Sequence, residues 1–512
     1  MTPETVEPSW WSEPLIWAAS DCEMKKVLDE ALSLLARDAT ILSRIEADQD
    51  AVAKAKKKVR QADQRWQAAQ TQPLPGLCVA EAPECETDKL SLQQGRPRMG
   101  SEMVCVFMVL RGYLGSICDR EARDRLMDST TVQMYLRSRG EFFPGWTTIL
   151  ENINAVSNAT RSHIFDVQLA MIVDEGLDDF SQAILDSTAV EANSAWPTDA
   201  RILLGLLERA FARTQKLERF GLSNVPPWWV PQWLKRLRTL LFKINHAAGK
   251  PRSKGKLKRY YRQFFNNAEK ILAHLIGHCA EREPLQEAAS QPPSQPPSQQ
   301  ALLAGLWTRL TEDISDAFDV VHYAEERIFE GTVRPSGEKI LSLGDRAAAF
   351  IDKGGRVSVI GYKPQLARSG QGFVSALTVP EGNPSDKTQL VPLVQQIHQR
   401  TGIMPQAISA DDGYTSRQGR DDLLAAGVER VCFSGSHGKK LLSEEEWNDP
   451  AYVQARKGRS AVESLIFVLK HVFAFARLRR RGRAQAEGEL LEKVIAYNFS
   501  RLLHLRRYTA AA

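Results

Sequence analysis

Three acidic residues in separate parts of the chain have the types and spacing needed for phosphodiester chemistry. Asp186 lies in an apolar run, residues 183–190, that is typical of a buried strand. Asp411 ends a second short apolar run, and Glu463 lies in a segment with helical periodicity. A buried carboxylate is costly unless it is paired or binds a metal. Carboxylate oxygens suit Mg²⁺, and two such ions about 4 Å apart can activate a nucleophile and stabilise a leaving oxygen.

The segment around Glu463 predicts a helix with one charged and one apolar face. At roughly 100° per residue, the charged residues fall within an arc of about 40°; they are Arg459, Glu463, Lys470 and Arg477. The opposite face consists of Val462, Leu465, Ile466, Leu469, Val472 and Phe473. A charged stripe alone is more often a solvated surface. The two aspartates elsewhere favour a functional carboxylate held among cations.

Taken in order, the motifs around these residues resemble those of the DDE transposases of bacterial insertion sequences, whose catalytic domain is ribonuclease H-like. The resemblance covers about residues 103–507. It is carried by residues 185–193, 196–199, 361–363, 382–386 and 410–414, and by the spacing of Arg459, Glu463 and Lys470. Related transposases have a tyrosine three residues before the arginine. Here that residue is Arg456, so the Tyr-Arg-Glu-Lys signature is incomplete.

The resemblance implies a DNA transposase that cleaves element ends and transfers them into target DNA. Asp186, Asp411 and Glu463 would be the catalytic residues and the ligands of two Mg²⁺ ions, with Mn²⁺ as a substitute. The expected DNA-contacting residues are Lys363, Arg459, Lys470, Arg477, Arg479, Arg480, Arg481 and Arg483. The expected partners are double-stranded DNA, as terminal inverted repeats and target, and further copies of the chain in a homodimer or higher assembly.

Basic residues are clustered although the net charge of the 512-residue chain is only +5. Residues 477–483 are the densest cluster, and their continuity with the Glu463 segment favours DNA contact. A longer cluster at residues 235–262 is interleaved with aromatic residues, as in surfaces that bind phosphates and unstacked bases. A solubilising surface is an equally good interpretation of this longer cluster.

Composition predicts a soluble, cytoplasmic protein, and the resemblance implies association with the bacterial nucleoid. Hydrophobic residues make up 43% of the chain, enough for two or three domains. The seven cysteines form no CxxC pair, as expected in a reducing compartment. The sequence has neither a signal-peptide pattern nor a run of about twenty apolar residues, so no membrane association is expected.

The predicted fold class is α/β, with a ribonuclease H-like mixed sheet flanked by helices, an all-helical insertion and N-terminal helical modules. The predicted division is a helical or coiled-coil region at 1–72, a linker at 73–100, a helical DNA-binding module at 101–178, a catalytic domain at 179–200 and 331–512, and a helical insertion at 201–330 with a Pro/Gln-rich tether at 284–300. Further strands are predicted at 339–343, 356–366, 372–379 and 428–433, and helices at 387–401 and 417–426. Asp386 is a candidate helix cap, as are Thr147 and Thr148 for an earlier helix.

Other candidate ligands are weaker. Asp412 adjoins Asp411, and neighbouring strand residues point to opposite faces, so both would not bind the same ions. Glu191 lies an odd number of residues after the first aspartate and is expected on the opposite face of the strand. His274 and His278 have helical spacing suited to zinc, but no second ligand pair accompanies them, which favours a structural role.

Two alternatives remain open from the sequence. A ribonuclease H-like nuclease would use the same three carboxylates to cleave DNA without joining it. A domesticated DNA-binding protein would use the helical modules and lack catalysis altogether. Strand transfer of pre-cut ends separates a transposase from the nuclease, and metal-dependent nicking excludes the non-catalytic protein.

Overall fold

The computed structural model describes residues 23–70, 98–115, 119–194, 196–219, 229–280, 296–352 and 358–511. The chain divides into two compact units, each built from separate segments. The first unit comprises Met1–Val52, Leu92–Asn193 and Ile351–Ala512, and the second comprises Ala53–Ser91 and Ser194–Phe350. The three candidate catalytic carboxylates and the basic residues at 477–483 belong to the first unit, whereas the basic cluster at 235–262 belongs to the second.

Helices precede the first strand: α1 Glu23–Arg37, α2 Thr40–Gln70, α3 Ser101–Leu114, α4 Asp119–Met127, α5 Thr130–Ser138, α6 Trp146–Ala155 and α7 Asn158–Asp174. Side-chain caps start two of them: Ser129 accepts from the Val132 N–H, and Ser157 accepts from the Thr160 N–H. Helix α6 begins at Trp146 after Gly145 and has no side-chain cap. The caps predicted at Thr147 and Thr148 are therefore wrong, because the chain is already helical when it leaves the Pro-Gly turn.

The strands that follow are β1 Gln182–Ser187, β2 Val190–Glu191, β3 Ala349–Ile351, β4 Val359–Tyr362, β5 Gln365–Ser369, β6 Val374–Thr378, β7 Ala407–Ala410 and β8 Arg430–Phe433. Five of them form a mixed sheet in the order β6-β5-β1-β7-β8. β5 is antiparallel to both β6 and β1, whereas β1, β7 and β8 run parallel. With its flanking helices this is an α/β architecture, as predicted.

The second unit is helical where it is described between residues 199 and 330. Its helices are α8 Asp199–Glu218, α9 Trp229–Ala247, α10 Lys254–Ala280 and α11 Pro297–Glu325, which continues as a π-helical turn at Glu326–Glu330. One apolar cluster joins these helices, and Thr198 caps α8 by accepting from the Arg201 N–H. Residues 297–300, predicted as part of the tether, are instead the first turn of α11.

The remaining helices are α12 Leu390–Thr401, α13 Arg417–Ala425, α14 Ser436–Leu441, α15 Glu444–Asn448, α16 Pro450–Gly458, α17 Ser460–His471 and α18 Arg483–Ala511. Helices α12 and α13 share an apolar cluster with the sheet, in which Leu185, Leu393, Ile408 and Phe433 are fully buried. Burial of each such side chain contributes roughly 1.5–3 kcal/mol. The helices and strands predicted between residues 372 and 433 are confirmed with bounds that differ by a few residues.

Several predicted elements differ from the structure. Residues 339–343 form no strand, because Ile340 and Leu343 pack against the helical cluster of the second unit. The strand predicted at 356–366 is divided into β4 and β5 at Pro364, which has no N–H to donate. Residues 1–22, most of the predicted linker (73–97) and most of the tether (284–295) lie outside the described residues. Among the described helices, none is long and apolar enough to cross a membrane.

Candidate active site

Asp186 and Asp411 lie side by side at the carboxyl ends of two adjacent parallel strands of the main sheet, β1 and β7. The last registered pair between the parallel strands β1 and β7 is Leu185 and Ala410, and each aspartate is the next residue along its strand. Adjacent strands are about 4.8 Å apart, and directly opposite residues point to the same face. Strand pairing between segments more than 200 residues apart therefore brings the two predicted carboxylates together.

Glu463 lies near the same strand ends, in the first turn of α17. Val462, Leu465 and Leu469 are buried on one face of the helix, while 60% of the Glu463 side chain is exposed. Arg459 forms the junction between α16 and α17 and immediately precedes this turn. The helix ends at His471, so Arg477 does not continue its charged face as predicted.

The guanidinium group of Arg459 joins the three carboxylates. Its Nη1 donates to Oε1 of Glu463 at 2.9 Å, and its Nη2 lies 3.5 Å from Oδ2 of Asp186 and 3.8 Å from Oδ2 of Asp411. The arginine side chain is only 18% exposed. The two strands and the helix thus direct three carboxylates at one cation.

The donor set has the chemistry of a magnesium site, although its side chains are arranged around an arginine. Within the described ranges, no three His, Cys, Asp or Glu side chains converge closely enough to hold a metal ion. The three carboxylates nevertheless supply hard oxygen donors, and a single cation already lies within 4 Å of each. The donor types therefore suit a divalent cation, whereas the side chains as arranged here surround Arg459 and do not themselves form a metal site.

Asp386 is a site residue that sequence reasoning treated only as a helix cap. Asp386 is instead the first residue of a short 3-10 helix, Asp386–Gln389, whose N-cap position is Ser385, without a side-chain capping bond. The Asp386 carboxylate lies 2.8 Å from the ammonium group of Lys363 and accepts from Nε2 of Gln365 at 2.9 Å and from Oγ of Ser187 at 3.3 Å. Ser187 directly follows Asp186, so this buried network is attached to the end of β1. In the sequence, Asp386 is the last residue of the 382–386 motif, which is one of the motifs that carry the family resemblance.

Tyr414 completes the network from the turn after β7. Its hydroxyl group donates to Oε1 of Gln365, and the ring is 1% exposed. Burial, followed by the negative charges of Asp386 and Asp186, raises the pKa of Tyr414 well above its ordinary value. The phenol therefore stays protonated and acts as a hydrogen-bond donor that ties the turn to β5.

The competing acids have other partners. The Asp412 carboxylate accepts from the backbone N–H groups of His437 and Gly438 at 3.1 and 2.9 Å. Burial raises its pKa, but these bonds outweigh burial and lower the pKa below its ordinary value. Glu191 lies in β2 and its carboxylate is 4.0 Å from Nε of Arg477.

Of the residues considered for zinc, His274 packs edge-on against the ring of Trp229 in the second unit. The side chains of His278 and Cys279 are not among the described parts of the structure.

The predicted DNA-contacting cations are not equivalent. Lys363 is 9% exposed and is paired with Asp386. Arg480 is also turned inward, because its Nη2 donates to Glu492 at 2.9 Å and its side chain is 12% exposed. The exposed residues of the basic segment are Arg477, Arg481 and Arg483, whereas Lys470 and Arg479 are half-buried.

Arg456, at the position of the usual tyrosine, stacks on an aromatic ring. Its guanidinium carbon lies 3.7 Å from the centroid of the Trp447 ring and 5.5 Å from that of Tyr452. The Tyr452 hydroxyl accepts from the Phe433 N–H at 2.9 Å, which fixes α16 to the end of β8. The substitution is thus accommodated by a cation–π contact one helical turn before Arg459.

Comparison with known proteins gives one match, to a protein-family model. Residues 334–499 match the family model described as Transposase DDE domain, and the matched segment contains Asp411, Glu463 and Arg459. Asp186 precedes the matched segment, so its assignment rests on the pairing of β1 with β7. Neither the curated proteins nor the solved structures give a match. This part of the chain is therefore similar to a transposase DDE domain, which is consistent with the resemblance to DDE transposases.

Proposed function

We propose that the protein is a DNA transposase that cleaves the ends of an insertion sequence and joins them to target DNA, with Asp186, Asp411 and Glu463 as its catalytic residues. The observation that carries this proposal is the Arg459 guanidinium group, which lies within 4 Å of all three carboxylates. Without a cation between them, three neighbouring carboxylates repel each other. Their proximity therefore favours the binding of a cation.

The proposed fold of the catalytic unit is ribonuclease H-like. Its support is the sheet order β6-β5-β1-β7-β8, in which an antiparallel half adjoins a parallel half. Asp186 is the penultimate residue of the central strand, and Asp411 directly follows its parallel neighbour. A helix packed beside β1 supplies the third acid, as the resemblance implies.

Asp186, Asp411 and Glu463 would hold two Mg²⁺ ions, or Mn²⁺ in their place. When bound, these ions would lower the pKa of the attacking hydroxyl group and stabilise the leaving oxygen of the phosphodiester. The adjacent strand ends fix the two aspartates in position. The more exposed Glu463 adjusts from its helix, and the Tyr414–Gln365–Asp386 network keeps the end of β1 in place.

Arg459 would neutralise the DNA phosphate beside the scissile bond once metal ions balance the carboxylates. An arginine fork suits this exchange, because it binds carboxylate and phosphate oxygens with the same geometry. Lys470 lies on the same helix, and the exposed Arg477, Arg481 and Arg483 extend the positive charge for flanking DNA. Lys363 and Arg480, which have buried partners, would support the site without contacting DNA.

The test is cleavage and joining of DNA by the full-length protein. Duplexes that carry the sequences flanking the gene would be incubated with Mg²⁺, and cleaved and joined products separated on gels. Asp186→Asn should abolish cleavage and leave binding of the DNA ends within about twofold. The matched control Asp421→Asn changes an aspartate that is 59% exposed and should retain cleavage.

The outcomes of these assays distinguish the candidates. Cleavage followed by joining of pre-cut ends supports the transposase, and co-purification of two ends in one complex supports the expected dimer or higher assembly. Cleavage without joining indicates a nuclease. Cleavage that persists in Asp186→Asn contradicts the assignment of the carboxylates, and the absence of metal-dependent nicking in the unaltered protein indicates a non-catalytic DNA-binding protein.

A further inference from the structure

A small polar cavity lies between α3, α18 and the segment that joins α17 to α18. Its volume is about 30 Å³, and its lining includes Arg111, Arg480, Glu489, Glu492 and Lys493. Roughly 10–15 Å³ is enough to hold one water molecule. The cavity therefore has room for a small ion, and it belongs to the first unit but contains none of the three proposed catalytic carboxylates.

The charges around the cavity do not balance. Four of the lining side chains are cationic, those of Arg111, Arg479, Arg480 and Lys493, and two are anionic, those of Glu489 and Glu492. Arg161, paired with Glu492 at 2.9 Å, adds another buried cation. Buried charge without a counter-ion is costly, so an excess of positive charge in this place favours an anion.

The carboxylates cannot supply more negative charge, because both are already ionised and occupied. Burial raises the pKa of Glu492, but the guanidinium groups of Arg111, Arg480 and Arg161 outweigh it and hold the pKa below its ordinary value. Burial likewise raises the pKa of Glu489, and the ammonium group of Lys493 outweighs it and lowers the pKa. Burial lowers the pKa of Lys493, so the excess positive charge at neutral pH is carried mainly by the guanidinium groups.

One donor on the lining has no hydrogen-bond partner. Nη1 of Arg480 is buried and makes no hydrogen bond within the described structure, although Nη2 of the same group donates to Glu492 at 2.9 Å. Lys493 donates to Ala474 O at 2.8 Å and to Glu489 at 2.7 Å. A buried N–H without an acceptor is costly, and a bound anion would satisfy it.

Close helix packing keeps the cavity small. At Gly112 of α3, an added Cβ would lie 2.6 Å from the backbone oxygen of Glu492 in α18, so only glycine permits this approach. At Gly115 an added Cβ would lie 2.3 Å from Val472 O, and the residue has a φ of 55°. The backbone on both sides is thus fixed, and the space cannot enlarge to accept a bulky ligand.

We propose that this cavity binds one small monovalent inorganic anion of the chloride class, which serves as a structural counter-ion between α3 and α18. The anion accepts from the free Nη1 of Arg480 and balances the excess charge of the surrounding arginines and Lys493. The site stands independently of the proposed catalysis, because it uses none of the residues assigned to that reaction.

Thermal unfolding of the full-length protein tests the proposal. Unfolding would be followed in sodium chloride, sodium bromide and sodium gluconate at equal ionic strength, gluconate being too large for the cavity. The expected result is a Tm about 2–5 °C higher in chloride and bromide than in gluconate, because a ligand that binds only the folded state stabilises it. Arg480→Gln and Lys493→Met should abolish this difference, whereas the control Arg477→Gln, whose side chain is 61% exposed, should preserve it.

Crystals grown with bromide give a second measurement that needs no variant. An anomalous peak within hydrogen-bond distance of Arg480 Nη1 is expected. Equal Tm values in chloride and gluconate, a water molecule in the cavity, or bromide bound only elsewhere would each overturn the proposal. If Arg480→Gln or Lys493→Met fails to fold, the bromide data on the unaltered protein decide the question.

Discussion

Arg459 reaches Asp186 at the edge of the sheet, with 3.5 Å between Nη2 of the arginine and Oδ2 of the aspartate. The same guanidinium group donates to Glu463 four residues later in the chain. Arg459 thus acts as an internal counter-ion for carboxylates that would otherwise repel each other. In the proposed transposase, Arg459 would contact DNA once the charge of the carboxylates is balanced by metal ions.

Replacement of this counter-ion should separate its effect on folding from that of the metal. Arg459→Gln is expected to lower the free energy of unfolding without divalent metal by about 1–2 kcal/mol, because the carboxylates lose their shared cation. Excess Mg²⁺ should then raise the Tm of the variant more than that of the unaltered protein, since no guanidinium group competes. Calorimetry with and without Mg²⁺ measures both effects.

The control for this experiment is Lys457→Gln, which removes an exposed cation two residues earlier. Its Mg²⁺ response should equal that of the unaltered protein. If Arg459→Gln gains no more stability from Mg²⁺ than this control, Arg459 does not compete with the metal.

Asp386 is expected to be important for stability although it was not among the predicted catalytic residues. Asp386→Ala leaves the nearly buried Lys363 without its carboxylate, which typically costs about 3–5 kcal/mol for a buried pair. The double variant Asp386→Ala/Lys363→Met should recover part of this loss, because no unpaired charge remains. Urea denaturation measures the difference.

The comparison for Asp386 is Asp421→Ala, at an exposed position where a change within about 0.5 kcal/mol is expected. A loss of stability in Asp386→Ala no greater than in this control would show that the Lys363 pair contributes little. Failure of the double variant to recover stability would indicate that the bonds from Gln365 and Ser187 dominate.

The sequence predicted the main sheet well because its strands are short apolar runs bounded by turn residues. It placed Asp186 in one strand and Asp411 at the end of another, and the parallel register then brings them together. The prediction that Arg477 continues the charged face of the Glu463 helix was wrong. The apolar period continues past residue 471, but the backbone leaves the helix, and Ala474 adopts a left-handed φ of 52°.

Partners distant in the chain explain the remaining differences. Asp386 precedes a helix, which is a pattern typical of a cap, yet its partners Lys363 and Ser187 lie 23 and 199 residues away. Arg480 belongs to a basic run, but pairing with Glu492 turns it inward. No local pattern records such pairs, so a run of arginines alone does not distinguish surface residues from buried ones.

The basic segment should therefore divide into two kinds of arginine when DNA binding is measured. Arg477→Gln and Arg481→Gln are each expected to weaken binding and to reduce the slope of log K against log salt by about 1, as for the loss of one phosphate contact. Arg480→Gln should leave the slope unchanged and lower the Tm, because its guanidinium group binds Glu492.

Fluorescence anisotropy with a labelled duplex at several salt concentrations measures these slopes. Thermal unfolding of the same samples shows whether each variant is folded. If Arg480→Gln reduces the slope as much as Arg477→Gln does, Arg480 contacts DNA despite its buried partner.

Glu492 should make folding sensitive to acid. Three arginines hold its pKa in the folded state below the ordinary value of 4.5. Because the folded-state pKa is lowered, this carboxylate stabilises the fold above the unfolded-state value, and its contribution is lost as the pH falls below about 4.5 toward the folded-state pKa. Glu492→Gln leaves three buried guanidinium groups without their carboxylate and should cost about 3–5 kcal/mol at neutral pH.

The difference in Tm between Glu492→Gln and the unaltered protein should consequently stay constant from pH 7 to about pH 4.5 and narrow as the pH falls further to about 3, because the unfolded state of the unaltered protein then binds a proton that the folded state does not. Glu444→Gln, at an exposed position of α15, should show a difference near zero at every pH. A gap for Glu492→Gln that stays constant over this range would mean that lost packing, and not lost charge, destabilises the variant. Narrowing of the gap would instead establish the Arg111–Glu492 pair as an electrostatic link between α3 and α18.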